Sequence, residues 1–278
     1  MTFPWLKGHG TENDFVLLPD HDGTVHGGTP DGQLDGDFVA ALCDRRRGIG
    51  ADGVMRVIRT SALEEDSAGE WFMDYRNHDG SLSEMCGNGI RVFALHLLDE
   101  GLVEDGAPIV IGTRGGDKTV TVEDDDMFSV DMGVAEVRGT SKITAAGRTW
   151  EAQDIRTGNP HAVAFVDSLT DPGPLLDPPE HDTGTYPDGV NVEFVVHEGP
   201  QHVAMRVHER GSGETRSCGT GACAAALATM LADKAQAPAT YRVDVPGGTL
   251  HVTWTPEDHL VLTGPAEIVA RGDMDWIA

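Results

Sequence analysis

Short apolar runs separated by polar turns recur through the chain and predict most of its secondary structure. Runs that alternate or stay apolar over a few residues predict strands. They occupy residues 14–19, 54–58, 71–75, 108–111, 119–122, 128–132, 162–166, 192–196, 202–207, 241–245, 250–254 and 259–262. Apolar segments with helical period predict helices over residues 38–43, 90–98 and 222–231. The pattern therefore predicts many short strands and few helices.

The predicted elements come in the same order twice, and a short motif repeats with them. Cys86-Gly87-Asn88-Gly89 precedes one predicted helix, and Cys218-Gly219-Thr220-Gly221 precedes another. The two cysteines are 132 residues apart. The same spacing separates further matched pairs, namely Asn77 from Glu209 and Gly115-Gly116 from Gly247-Gly248. A duplication this regular predicts two similar halves, each with several strands around one helix.

The repeat also sets the expected domain boundaries. We expect an N-terminal half over residues 1–131 that carries Cys86, and a C-terminal half over residues 132–264 that carries Cys218. The tail, residues 265–278, has no counterpart in the repeated order.

A thiol at the start of each central helix is the strongest candidate for chemistry. A helix N-terminus offers unpaired N–H groups and partial positive charge, so it binds carboxylates and lowers a thiol pKa from about 8.5 toward about 3.5–7.5. We expect the glycines of both motifs to let a ligand approach the backbone. Two thiols on opposite faces of one carbon could remove and return a proton, which inverts a stereocentre.

The remaining cysteines and the charge narrow the classes of protein. Cys43 and Cys223 lie in apolar helical stretches, where a free cysteine usually serves as a small buried hydrophobe. Four cysteines are too few for a disulfide framework. The net charge of −26 disfavours nucleic-acid and membrane partners, and resembles that of proteins from salt-accumulating cells. With no apparent signal peptide, a cytoplasmic protein is expected.

Two other motifs are set aside. Gly48-Ile-Gly-Ala-Asp-Gly53 fits a dinucleotide-binding pattern, but a predicted helix precedes it and a strand follows, which is the reverse of the required order. The twelve histidines show no zinc-site spacing. We therefore expect no metal and no nucleotide cofactor.

Five motifs in sequence order resemble those of diaminopimelate epimerase. They are His9–Phe15, Asn77–Ser81, Cys86–Gly89, Gly158–His161 and Glu209–Gly221. The resemblance covers essentially the whole chain. It implies an α/β (α+β) fold of two pseudosymmetric halves, each a curled, mostly antiparallel sheet or barrel around a central helix, with the tail returning to the first half. It also implies a pyridoxal-free isomerase that converts LL- to meso-2,6-diaminopimelate in lysine biosynthesis, and suggests a homodimer.

The resemblance assigns roles to matching positions of this chain. The implied catalytic residues are Cys86, Cys218, His161 and Glu209. The implied substrate-binding residues are Asn13, Asn77, Gly87, Asn88, Asn159, Asn191, Glu209, Arg210, Gly219 and Thr220. Arg210 suits the distal carboxylate, because its planar fork can bind bidentately. Some members have a substrate-contacting glutamine where this chain has Gly53, so that contact is not expected here.

Several alternatives stay open. A proline or hydroxyproline epimerase has a similar fold and paired thiols, but tends to have histidine where this chain has Asn88. A cofactor-free isomerase or a binding protein on the same scaffold would lack the thiols, and a redox protein would carry the Cys-x-x-Cys pattern. The asparagines could simply be turn residues, His161 could be an exposed loop histidine, and Glu209 with Arg210 could be a surface ion pair.

Overall fold

The computed structural model of the protein describes residues 2–26, 33–63, 65–123 and 125–276. The chain divides into two compact units. The first runs to Val130 and includes the tail from Pro265, and the second is Asp131–Gly264. The sequence placed this boundary between residues 131 and 132. Residues 277 and 278 of the predicted tail lie outside the described residues.

The described residues form three α-helices, one 3-10 turn and eighteen strands. The helices are α1 Gly36–Cys43, α2 Gly87–Asp99 and α3 Gly219–Ala232, and the 3-10 turn is Thr60–Ala62. The strands up to the end of the first unit are β1 Thr2–Gly10, β2 Asn13–Pro19, β3 Gly53–Arg59, β4 Trp71–Asn77, β5 Ile109–Gly112, β6 Lys118–Val122 and β7 Phe128–Val134. Those that follow are β8 Glu136–Ala145, β9 Arg148–Thr157, β10 Asn159–Phe165, β11 Glu180–His181, β12 Asn191–Gly199, β13 His202–Glu209, β14 Gly213–Thr215, β15 Ala239–Val245, β16 Gly248–Trp254, β17 His259–Gly264 and β18 Glu267–Asp275.

The first unit wraps its strands around α2. Its pairing order is β18-β1-β2-β3-β4-β5-β6-β7, antiparallel except for the parallel pairs β2–β3 and β4–β5. The tail strand β18 pairs with β1 from Thr2 opposite Asp275 to His9 opposite Glu267. Helix α2 contacts β1, β2, β3, β6 and β18, and most of its residues are buried. Such burial explains why its sequence is apolar around most of its circumference.

The second unit repeats this arrangement around α3. Its main order is β8-β9-β10-β12-β13-β15-β16-β17, and the parallel pairs β10–β12 and β13–β15 fall at the same two places as in the first unit. Helix α3 contacts β9, β10, β12, β13, β15, β16 and β17. The many alanines of α3 let strands approach the helix on all sides, and nearly all of these alanines are buried. The predicted fold of two pseudosymmetric halves, each with strands around a central helix, is confirmed.

The helix predictions and the placement of the two minor cysteines are also confirmed. Cys43 ends α1 and Cys223 lies in α3, and both thiols are buried among apolar neighbours. Burial raises the pKa of Cys43 to about 12. The segment Gly48–Gly53 follows α1 and leads into β3, which is the helix-then-strand order that disfavoured a nucleotide site. No helix among the described residues is long and apolar enough to cross a membrane.

One buried histidine of α2 makes the stability of the protein depend on pH. His96 is 1% exposed, and within the described residues neither ring nitrogen has a hydrogen-bond partner. Burial, with a smaller contribution from His21, lowers the pKa of His96 to about 4. Since the unfolded chain binds the proton near pH 6.5 and the folded chain does not, stability is full above pH 6.5 and is lost as the pH falls toward 4.

We therefore expect His96→Leu to flatten this part of the pH dependence. Between pH 7 and pH 4, the wild type should lose about 3 kcal/mol more unfolding free energy than the variant, because folding lowers the pKa of His96 from 6.5 to about 4. Urea unfolding of both proteins at several pH values measures the difference. Equal losses in the two proteins would show that His96 is not neutral in the folded state.

Candidate active site

In the first unit, Cys86 is the residue that caps the N-terminus of α2. Its backbone is extended, and Cys86 Sγ accepts a hydrogen bond of 3.4 Å from the N–H of Gly89. Helix N-termini leave N–H groups unpaired, and a capping side chain satisfies one of them. The thiol is therefore fixed at the positive end of a buried helix, as the sequence predicted.

Asn13, at the start of β2, lies beside this thiol. Cys86 Sγ donates to Asn13 Oδ1 at 3.6 Å, and Asn88 Nδ2 donates to the same oxygen at 3.2 Å. Asn13 Nδ2 in turn donates to Asp52 Oδ2 at 2.8 Å. Because Asp52 holds the amide nitrogen, the carbonyl oxygen of Asn13 points toward the thiol. Three of the predicted site residues, Cys86, Asn13 and Asn88, thus meet at the N-terminus of α2.

Asp52 belongs to a charged cluster that orients Asn13. Asp14 accepts from Arg45 at 2.7 and 2.8 Å and pairs with Lys7 at 2.8 Å. Burial alone would raise the pKa of Asp14, but hydrogen bonds and charges from Arg45 and Lys7 outweigh it and hold that pKa far below its usual value. Burial, and then the charge of Asp14, raise the pKa of Asp52.

Asn77 ends β4 and is tied into its own turn. Its Nδ2 donates to Ser81 Oγ at 3.0 Å, and its backbone N–H donates to the Ser81 carbonyl at 3.0 Å. This geometry fits the simpler interpretation of an asparagine in a turn. A substrate contact by Asn77 therefore stays a prediction.

In the second unit, Cys218 caps α3 with the same geometry. Cys218 Sγ accepts from the N–H of Gly221 at 3.4 Å, which is the distance found at Cys86. Thr220 Oγ1 also lies 3.4 Å from Cys218 Sγ. Cys218 is only 6% exposed, whereas Cys86 is half-buried. The backbone arrangement is repeated, but the surroundings of the two thiols differ.

Glu209 is the immediate partner of Cys218. The thiol lowers the pKa of Glu209 as a hydrogen-bonding neighbour, and the carboxylate also accepts a hydrogen bond from Thr215 Oγ1. Burial raises the pKa of Glu209, and the hydrogen bonds from Thr215 and Cys218 together with the charge of His161 oppose that rise. A carboxylate hydrogen-bonded to a thiol can accept its proton.

The predicted lowering of the thiol pKa is wrong for Cys218. Burial, and then the negative charges of Glu209 and Glu193, raise the pKa of Cys218 well above its usual value. The helix end and the hydrogen bonds from Thr220 and Gly221 act in the opposite direction but are outweighed. In this unit the resting group is therefore a thiol.

His161 lies on β10 in a completely buried pair with Glu193 of β12. His161 Nδ1 is 2.7 Å from Glu193 Oε1, and both side chains are 0% exposed. His161 Nε2 is 2.8 Å from Asn159 Oδ1. The predicted residues Asn159 and His161 are therefore direct partners, and a residue that the sequence analysis did not select completes the group.

Asn191 and Arg210 are joined at the start of β12. Asn191 Oδ1 accepts from the Arg210 N–H at 2.8 Å, and Asn191 Nδ2 donates to the Pro160 carbonyl at 3.2 Å. The Arg210 guanidinium donates to the Asp188 carbonyl at 3.2 Å and is exposed. Asn191 therefore links Arg210 to the strand that carries His161, and the exposed guanidinium has donors left for a ligand.

Two of the motif glycines lie close against side chains of the protein itself. A Cβ on Gly221 would lie 2.6 Å from Glu193 Oε1, and one on Gly89 would lie 3.0 Å from Met55 Sδ. The missing side chains of these two glycines leave room for those neighbours. For Gly87 and Gly219 the ligand role stays a prediction.

Sequence reasoning missed Asp52, Glu193 and Thr215. A signal existed for Glu193, which is a charged residue inside the apolar run at 192–196, since a buried charge requires a partner. Asp74 gives the same signal in β4, yet it pairs with Arg56 at 2.9 Å in a buried ion pair. Glu193 and Asp74 differ in this respect only by the identity of the partner, which is His161 for Glu193 and Arg56 for Asp74.

No group of three or more metal-ligating side chains occurs among the described residues.

Comparison with known proteins identifies relatives over the whole chain. The sequence model of the family described as diaminopimelate epimerase matches residues 5–137 and 154–269. The diaminopimelate epimerase of Streptomyces coelicolor is 53% identical over 98% of this chain and 96% of its own. That of Corynebacterium aurimucosum is 48% identical over 97% of this chain and 98% of its own.

Solved structures of lower identity share the fold. A hydroxyproline epimerase from Agrobacterium vitis aligns with a TM-score of 0.69 at 17% identity, over 98% of this chain and 92% of that one. A phenazine biosynthesis protein of the PhzF family from Bacillus anthracis aligns with a TM-score of 0.70 at 14% identity, over 99% and 100%. At this identity the likeness concerns the fold alone.

Proposed function

Because the chain belongs to the diaminopimelate epimerase family, we propose that it converts LL-2,6-diaminopimelate to the meso isomer in lysine biosynthesis. The observation that carries this proposal is the repeated thiol site. Each unit fixes one cysteine at the N-terminus of its central helix, with its Sγ 3.4 Å from the N–H three residues later.

The chemistry of inversion accounts for the duplication. Epimerisation breaks the α-carbon–hydrogen bond and forms a new one on the opposite face, so one group removes a proton while another supplies one. We assign these tasks to Cys86 and Cys218 acting on the same α-carbon, without pyridoxal. In unit two, the thiol proton passes to Glu209, the Cys218 thiolate takes the α-proton, and the Cys86 thiol donates its proton to the carbon. The reverse reaction starts from the Cys86 thiolate.

The substrate's charged groups match the remaining residues. Its reacting carboxylate suits the N–H groups at the starts of α2 and α3, formed by Gly87, Asn88, Gly219 and Thr220. Its distal carboxylate suits the exposed fork of Arg210. The amino groups suit the amide oxygens of Asn13, Asn77, Asn159 and Asn191. A cytoplasmic homodimer adapted to high salt stays a prediction.

A proline or hydroxyproline epimerase is the competing function. Those substrates have one carboxylate and would not need Arg210, and the shared fold with the A. vitis enzyme does not decide between them. The test compares epimerisation rates with LL-diaminopimelate, proline and trans-4-hydroxyproline in concentrated salt. We expect turnover of diaminopimelate alone. Faster turnover of either proline substrate would overturn the proposal.

A further inference from the structure

Glu193 is a buried carboxylate whose position calls for an explanation. It lies in β12 among apolar residues and is 0% exposed. Its Oε1 pairs with His161, while within the described part of the chain its Oε2 has no hydrogen-bond partner. Burying a carboxylate with one oxygen unsatisfied is costly, and such groups are usually retained for function.

The contact with Glu193 fixes the orientation of the His161 ring. His161 Nδ1 faces the Glu193 carboxylate at 2.7 Å, and Nε2 faces the amide oxygen of Asn159 at 2.8 Å. The two contacts together hold the ring in a single orientation.

The same carboxylate reaches the first turn of α3. Gly221 donates its N–H to Cys218 Sγ, and the missing side chain of Gly221 leaves the space in which Glu193 Oε1 lies. The charged groups that act on Cys218 are therefore Glu209 from β13, Glu193 from β12 and, through Glu209, His161 from β10. Of the two carboxylates, Glu209 can take the thiol proton directly, whereas Glu193 acts on the thiol only through its charge.

We propose that Glu193 is a positioning residue of the epimerisation site, which holds the His161 ring in its orientation and, from its place beside Gly221, keeps Cys218 as a thiol until substrate binds. The inference rests on the proposed function for its catalytic meaning, but its electrostatic content concerns the free protein. A thiol at rest leaves the helix end free of a second negative charge, which favours entry of a carboxylate substrate. Deprotonation by Glu209 then follows binding.

The direct test is the pH dependence of Cys218 alkylation by iodoacetamide, followed by peptide mass spectrometry in the absence of substrate. Only the thiolate reacts, so the midpoint of the rate profile reports the thiol pKa independently of access. We expect Glu193→Gln to move the Cys218 midpoint down by about one pH unit or more, because a nearby negative charge is removed. The Cys86 profile in the same digest should stay unchanged.

Asp154→Asn serves as the matched control. Asp154 is a buried carboxylate of the same unit, on β9, and is 6% exposed. Its neutralisation should leave the Cys218 profile as in the wild type. A Glu193→Gln profile that also equals the wild type would overturn the inference, and so would an equal downward shift in Asp154→Asn.

Two further measurements separate the roles of charge and orientation. Glu193→Asp keeps the charge but withdraws it from His161 by one methylene, so the Cys218 midpoint should stay near that of the wild type while kcat falls. If Glu193→Gln does not fold, the alkylation profile of the wild type alone still tests the inference. Its Cys218 midpoint must then lie above the ordinary thiol pKa of about 8.5. A wild-type midpoint below that value would contradict the inference.

These outcomes are distinct from failure of the proposed function. An inactive wild type with a shifted Glu193→Gln profile would refute the substrate assignment and leave the electrostatic role intact. An active wild type whose Cys218 midpoint does not respond to Glu193→Gln would support the substrate assignment and refute the electrostatic role of Glu193.

Discussion

Replacement of either Cys86 or Cys218 by alanine is expected to lower kcat for LL-diaminopimelate by about 10³-fold or more. In the proposed mechanism each thiol handles the proton on one face of the α-carbon, so inversion should fail when either is missing. For the same reason the double variant should be little worse than each single variant, since groups that act as a unit are not additive. Steady-state rates of meso-diaminopimelate formation measure the effect.

Cys223→Ala is the matched control, because Cys223 is a buried cysteine of the helix that Cys218 caps. It should retain most of the activity. A single variant at Cys86 or Cys218 with near wild-type kcat would remove that thiol from the mechanism, and independent, multiplying losses in the double variant would show that the two do not act together.

The second large effect is expected for Glu209→Gln, with a loss in kcat of about 10²–10³-fold. The amide keeps the shape of the side chain and can still accept a hydrogen bond from Thr215, but it cannot take the proton of Cys218. The acid side of the pH profile should change as well. As the pH falls through the raised pKa of Glu209, the wild type loses its proton acceptor and its rate falls. The variant has no carboxylate to protonate at this position, so its profile should lack this fall in rate.

Glu214→Gln controls for the loss of a nearby charge. Glu214 pairs with Arg206 at 2.6 Å on the neighbouring strand β14, at a partly exposed position. It should leave both kcat and the pH profile nearly unchanged. A Glu209→Gln variant that keeps the acid limb of the wild type would show that another group accepts the thiol proton.

The fold was predictable where strands and helices are buried. Helices α2 and α3 are apolar around most of their surface because strands surround them, and the 132-residue repeat revealed their equivalence. The strands missed from sequence include β8, which lies between β9 and the two-residue strand β11, and β18, which lies at the outer end of the first pairing order. Their residues are mostly exposed, so no alternation of apolar and polar positions marks them. Strand β1 was also missed, because it contains Pro4 and two glycines, which are disfavoured inside strands.

The candidate site was predictable to the extent that it depends on local sequence. A cysteine before two glycines at a helix start is a local signal, and it placed both thiols at helix N-termini. The pKa of Cys218 depends instead on Glu193 and Glu209, which other strands bring to the N-terminus of α3. Burial of those charges comes from packing, so the direction of the pKa shift could not be inferred from the helix alone.

The central claim is that two separate thiols act on opposite faces of one carbon, and its most direct test is epimerisation of LL-diaminopimelate in D₂O at early turnover. The donor thiol carries solvent deuterium, so the meso product should contain one deuterium at the inverted carbon while the remaining LL substrate stays unlabelled. Meso product without deuterium, or label that enters the recovered LL substrate as fast as the product, would contradict the two-thiol account.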